Sequence, residues 1–300
     1  MQTIAYLQQN LGLFYVYVTI VGALVGSFLN VVIYRLPVMM RRDWHEQCEE
    51  LVNPTADPDS APSGTPAPTF NLMVPRSRCP KCEHLITARE NIPIISFLLQ
   101  GGKCAHCKTS ISKRYPIVEA LTALISLFVA SYFGVSWQTL MVLILSWGLI
   151  ALSLIDFDHQ LLPDSITLPM MWLGIIIAIF GLFTDLQSSV IGAIAGYLTL
   201  WSVYWAFKLI TGKEGMGYGD FKLLAVFGAW LGWQALPIIV LLSSLVGAII
   251  GISLIVFRGR DRNIPIPFGP YIAIAGWIAL FWGKDLIELY LRVSGITVPG

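Results

Sequence analysis

Long apolar runs constrain this chain more than any other feature. Eight segments, roughly 12–35, 117–134, 138–156, 166–184, 187–209, 221–232, 235–257 and 268–290, are apolar, and several reach the length of about 20 residues that a helix needs to cross a hydrocarbon core of about 30 Å. No water-soluble core can absorb that much apolar surface from a 300-residue chain that is 56% hydrophobic and only 12% charged. The mean hydropathy is +0.70. The sequence therefore predicts an all-α polytopic membrane protein of about eight transmembrane helices. The run 221–232 is the shortest and contains Lys222, which predicts that it begins outside the hydrocarbon or lies tilted. The first run begins near Leu11, without a basic flank or a small-residue cleavage site, and reads as a retained span rather than a signal peptide.

The basic residues orient these spans. If the N-terminus is outside, residues 36–116, 157–165, 210–220 and 258–263 face the cytoplasm. Those regions and their flanks hold Arg35, Arg41, Arg42, Arg76, Arg78, Lys81, Arg89, Lys103, Lys108, Lys113 and Arg114, then Lys208, Lys213, Lys222, Arg258, Arg260 and Arg262. Only Lys284 and Arg292 fall on the other side, as the positive-inside rule requires. A net charge of +1 gives no reason to expect a nucleic-acid partner; the expected surroundings are membrane lipid.

Three parts follow. Residues 1–36 hold the first transmembrane helix. Residues 37–116 form a small cytoplasmic domain that includes a flexible stretch at 53–69, rich in Pro, Ser, Ala and Asp. Residues 117–300 form the remaining transmembrane bundle. The pairs Gly22/Gly26, Gly192/Gly196 and Gly247/Gly251 predict close helix packing in lipid. No internal repeat stands out.

Four of the five cysteines form two close pairs, Cys79-Pro-Lys-Cys82 and Cys104-Ala-His-Cys107. Two such knuckles can supply a tetrahedron of thiolates, which suits Zn²⁺. A closed four-thiolate site leaves no open coordination position, so its expected role is structural, holding a segment too small to fold alone. His84 and His106 are spare ligand candidates, and Cys48 reads as a free thiol.

Two aspartates carry the expected chemistry. Asp156 ends the apolar run Leu140–Ile155, where an ionisable group is costly and points to function. Asp220 follows the glycine-rich stretch Gly215-Met216-Gly217-Tyr218-Gly219. Taken singly, Asp220 also reads as the N-cap of a helix starting at Phe221, and Asp156 as an interfacial charge. Together they lie on the same predicted side at similar depth. Two carboxylates within about 3–5 Å share a proton, and one can then act as base on a water, as in an aspartic protease. Asp164 reads as a helix N-cap, Asp158 as a solvated loop charge, and Glu119 as one further acidic candidate. An alternative is a membrane transporter or channel with a zinc-bound cytoplasmic regulatory domain, although transporters place charge nearer mid-membrane.

The Gly-x-Gly-Asp motif at 217–220 and the Asp156…Leu162-Pro163-Asp164 stretch resemble the type IV prepilin peptidases, which are GxGD membrane aspartic proteases. So do Gly26-Ser-Phe-Leu-Asn-Val-Val-Ile-Tyr-Arg-Leu-Pro37, the paired CxxC units, Glu90-Asn91-Ile-Pro, Arg114-Tyr-Pro-x-Val-Glu119 and Pro267-Phe-Gly-Pro270. The resemblance covers nearly the whole chain. It implies a bifunctional enzyme of the bacterial inner membrane that removes the basic leader from type IV prepilins and type II secretion pseudopilins on the cytoplasmic side. It further implies methylation of the new N-terminal amine, typically of a phenylalanine, from S-adenosylmethionine. Asp156 and Asp220 would be the catalytic pair, and Cys79, Cys82, Cys104 and Cys107 the zinc ligands. Glu90 and Asn91, near the knuckles, are candidates to contact the methyl donor. No Rossmann-type Gly-rich signature is present.

Overall fold

The computed structural model describes residues 2–52, 70–258 and 266–293. The 53–69 stretch, and Arg260 and Arg262 of the last loop expected at the cytoplasmic face, lie outside the described residues. The described secondary structure is helical apart from two isolated β-bridges. The chain divides into two compact units, Met1–Leu143 and Ile144–Gly300.

The first unit contains α1 (Gln2–Gln9), α2 (Leu11–Val52), α3 (Ile95–Leu99) and α4 (Arg114–Phe133). The sequence reading ends the first span at residue 35. Instead α2 runs 42 residues, through Pro37 and on to Val52. The extension Met39–Val52 is rich in Met, Arg and Glu, which favour helix once one is nucleated. Gly22 lets α2 approach Ala123 and Ser126 of α4. A Cβ at Gly26 would lie 2.8 Å from the Cα of Glu119. This is the close packing that the spacing predicts.

The second unit contains most of α5 (Trp137–His159), then α6 (Asp164–Ile179), α7 (Leu186–Thr211), α8 (Tyr218–Leu231), α9 (Leu236–Arg258) and α10 (Gly269–Val293). Each expected span thus corresponds to one helix. Among the described residues, five segments are long and apolar enough to cross a membrane: Leu11–Val52, Arg114–Phe133, Trp137–His159, Leu186–Thr211 and Trp233–Ser253. At 16 residues, α6 reaches only about 24 Å. It ends near Phe180, before Gly181 at φ +62°, short of the predicted residue 184.

From Leu223 to Trp230, the 14-residue α8 is apolar on every side and buried within its unit. Phe221, Leu223, Leu224, Ala225, Val226, Phe227, Ala229 and Trp230 are all buried. Its seat on α7 is made by glycine: Gly192 meets Gly228 backbone to backbone, and Gly196 meets Leu224 and Ala225. Ser189 Oγ of α7 locks the seat by donating to the Ala229 carbonyl at 2.6 Å, and Trp230 Nε1 ties α8 to α6 by donating to the Met170 carbonyl at 2.8 Å. Gly247 and Gly251 of α9 instead receive side chains, those of Phe268 and Tyr271 against the first and Ile266 against the second. Large apolar side chains such as Leu24, Phe28, Leu124, Ile191, Leu198, Leu245 and Ile252 point outward. So much exposed apolar surface belongs in lipid rather than water.

Candidate active site and metal centre

Asp156 occupies the last turn of α5 and is 5% exposed. Its Oδ2 accepts a hydrogen bond of 3.0 Å from the Gly269 amide at the start of α10. Asp220 sits in the first turn of α8 and is 6% exposed. The helix starts at Tyr218 rather than Phe221, so Asp220 is its third residue and Gly217 its N-cap. The carboxylate reaches back to the Gly217 amide at 3.3 Å, which makes it a capping group after all, from inside the turn. Leu162 ties the two turns together, lying against Gly219, next to Asp220, and against Gly269, the donor to Asp156. Two sequence-distant carboxylates, both withdrawn from water, are thus brought together in one unit.

The surrounding groups fix this arrangement. Leu162 lies against both glycine turns: a Cβ at Gly219 would come within 2.7 Å of its Cβ, and one at Gly269 within 3.2 Å of its Cδ1 and Cδ2. Asp164 departs from its expected role. Pro163 is the N-cap of α6, and the Asp164 side chain instead accepts from Lys222 Nζ through both oxygens at 2.7 Å. The extended backbone of Pro163 starts the helix one residue too early for Asp164 to cap it. Asp158 is exposed.

In the first unit, the Sγ atoms of Cys79, Cys82, Cys104 and Cys107 all lie within 4.8 Å of one another. Two edges of this cluster measure 3.7 Å (Cys79 to Cys107) and 4.0 Å (Cys82 to Cys104). A zinc tetrahedron with Zn–S near 2.3 Å has edges of about 3.8 Å, so the cluster fits the ion. The two knuckles repeat each other position by position, a repeat hidden in the sequence because Pro-Lys and Ala-His fill the two loops. The Cys79 amide donates to the His84 carbonyl and the Cys104 amide to that of Thr109. The Ile86 amide donates to Ser77 and the Ile111 amide to Gly102. Bridges Arg78–Leu85 and Lys103–Ser110 match, as do Glu83 and Lys108, at φ 58° and 59°. The rings of His84 and His106 stack at 5.5 Å.

Glu90 is engaged within its own loop. Its Oε2 accepts from the Thr87 amide and hydroxyl, both at 2.8 Å, and Oε1 lies 3.4 Å from His84 Nε2. Asn91 is exposed at the end of the 3-10 turn Arg89–Asn91. Cys48 is an exposed free thiol on α2.

Two further residues join the knuckle segment to the helices. The buried Glu119 on α4 accepts from the Ile94 amide at 2.8 Å and from Ser27 on α2. It thereby helps hold Ile94 at φ 62°, a conformation costing a β-branched residue about 1–2 kcal/mol. The buried Arg35 donates to the carbonyls of Asn71, Leu72 and Pro75. Both residues fall inside motifs quoted above, but their partners are too distant in sequence to be read from it.

Two family models match this chain: the Bacterial Peptidase A24 N-terminal domain over residues 20–133, and the Type IV leader peptidase family over residues 143–252. A prepilin leader peptidase/N-methyltransferase of Stutzerimonas stutzeri is 56% identical over 98% of this chain and 99% of its own. The chain belongs to the type IV leader peptidase family. Similar relatives of this leader peptidase carry the same description: one in Pseudomonas aeruginosa is 56% identical over 92% of this chain and 93% of its own, and one in Aeromonas hydrophila 56% identical over 93% and 94%. No solved structure matches it.

Proposed function

We propose that this chain is a prepilin leader peptidase and N-methyltransferase in which Asp156 and Asp220 hydrolyse the leader peptide bond. The function follows from near-complete coverage at 56% identity by relatives so described. The assignment of the residues is supported by one observation: two buried aspartates on different helices, in turns that both pack on Leu162. Such a pair holds one proton between two carboxylates. The ionised member takes a proton from water as the water attacks the scissile carbonyl, and the protonated member donates to the carbonyl oxygen. A transporter reading would prefer remote carboxylates, and this proximity argues against it.

The substrates would be prepilins and pseudopilins, whose apolar helix can lie among the spans while the leader meets the aspartates at the cytoplasmic face of the inner membrane. Zn²⁺ held by Cys79, Cys82, Cys104 and Cys107 would be structural, closing the two knuckles on each other. S-adenosylmethionine would supply an electrophilic methyl group to the freed amine. We offer Glu90 and Asn91 as its contacts, Glu90 then exchanging its Thr87 partners for the ligand.

Co-expression with a prepilin, followed by mass spectrometry of the pilin N-terminus, tests the reading. The wild type should yield a shortened, methylated product. Asp156→Asn and Asp220→Asn should each leave the leader in place while the enzyme still accumulates in the membrane. Full cleavage by both variants would overturn the assignment.

A further inference from the structure

The turn Pro267-Phe268-Gly269-Pro270 has a use that its sequence does not announce. It opens α10, and a helix start leaves its first amides without intrahelical partners. Here the Tyr271 and Ile272 amides both donate to the Phe268 carbonyl, and Pro270 has no N–H to offer. The Gly269 amide is therefore the donor left over at this end, and it is spent on Asp156 Oδ2 at 3.0 Å in a buried setting. Prolines on both sides restrict the backbone that presents it. The same residue leaves space: a Cβ on Gly269 would stand 2.7 Å from Asp156 Oδ2 and 3.2 Å from both Leu162 methyls.

We infer that Gly269 is a positioning residue of the peptidase site, its amide aiming the Asp156 carboxylate and its missing side chain making room for it. This rests on the reading of Asp156 as catalytic. Helix α10 then contributes to hydrolysis through its backbone, holding in place a carboxylate that a small displacement would disable. Restricting the backbone before substrate arrives means little reorganisation is needed at the moment of reaction.

The test is steady-state cleavage by purified full-length enzyme in detergent. Gly269→Ala should lower kcat by about ten- to a hundredfold with KM unchanged, the cost of misplacing a catalytic group by a fraction of an ångström to an ångström. Gly283→Ala, on the same helix, is the control, because a Cβ there meets only the Ala279 Cβ at ordinary contact, 3.8 Å. It should cleave at the wild-type rate. The double variant Leu162→Ala/Gly269→Ala removes the crowding at Leu162 but not that at the carboxylate, so it should stay slow relative to Leu162→Ala alone. The inference is overturned if Gly269→Ala keeps kcat within twofold of wild type, or if the double variant matches Leu162→Ala. Those outcomes leave Asp156 untouched. Cleavage by Asp156→Asn would instead remove the reading on which the inference stands.

Discussion

Lys222 stands two residues beyond Asp220, and a bare cation there would bias the carboxylate pair. Its ammonium is matched by Asp164, both of whose oxygens it reaches at 2.7 Å. The lysine side chain is 28% exposed and the aspartate 53%, so water screens the pair and its contribution is about 1 kcal/mol or less. Lys222→Met should accordingly lower the melting temperature of the purified enzyme by no more than about 2–4 °C. The exchange Lys222→Asp/Asp164→Lys should recover most of that loss, whereas two independent surface charges would give additive losses. Glu90 offers a pH test. The Thr87 amide and hydroxyl hold its carboxyl below the ordinary range. A depressed folded value means that the contribution is present above the unfolded value of about 4.3 and is lost as pH falls through the folded one. Hydrogen exchange at the Thr87 amide should therefore show greater opening in the acid range than at neutral pH, and Glu90→Gln should flatten that difference.

At the scale of elements, the α7–α8 seam is the most exacting contact. Gly192 and Gly228 touch backbone to backbone, so a side chain on either must part the helices. Gly192→Leu is expected to destabilise the second unit by several kcal/mol and to abolish folded accumulation, as overpacking without room to relax does. Gly181→Ala offers a contrast: it meets no steric neighbour, and its φ of +62° alone sets a smaller penalty of about 1–2 kcal/mol. Hydropathy made the eight helices legible, because lipid demands apolar runs of a certain length. It could not place the end of α2, since the extension past Pro37 is largely polar and rests on helix propensity and side-chain contacts such as Arg42 over the Phe70 ring. It also could not show that Asp164 pairs with Lys222, or that Gly269 donates to Asp156, because both contacts join residues far apart in the chain. The two buried aspartates stand out in the sequence by their position at the ends of apolar runs, and the clustered cysteines by their spacing.

For the molecule as a whole, the two proposed sites fall in different units. The four-cysteine cluster belongs to the first and the two buried aspartates to the second. Removing the metal should therefore damage them unequally. Purified enzyme should contain one zinc per chain. A strong chelator, or Cys104→Ser, should increase protease sensitivity between residues 70 and 113 and depress N-methylation at least as much as leader cleavage. Quantitative mass spectrometry of the pilin product separates the two activities. Equal resistance to proteolysis with and without zinc would deny the cluster its structural role.

The sealed α8 has a consequence for how the protein is made. At 14 residues it reaches about 21 Å, too little to cross the bilayer, and it carries Asp220 and Lys222 among its first five residues. A segment leaving the ribosome in this form has no stable place in lipid on its own. It has a place once α7 is present, because the glycine face of α7 supplies the surface that α8 covers. Biogenesis should then deliver the two as a hairpin, and Asp220, the proposed catalytic residue, enters the membrane only as a passenger on that pairing.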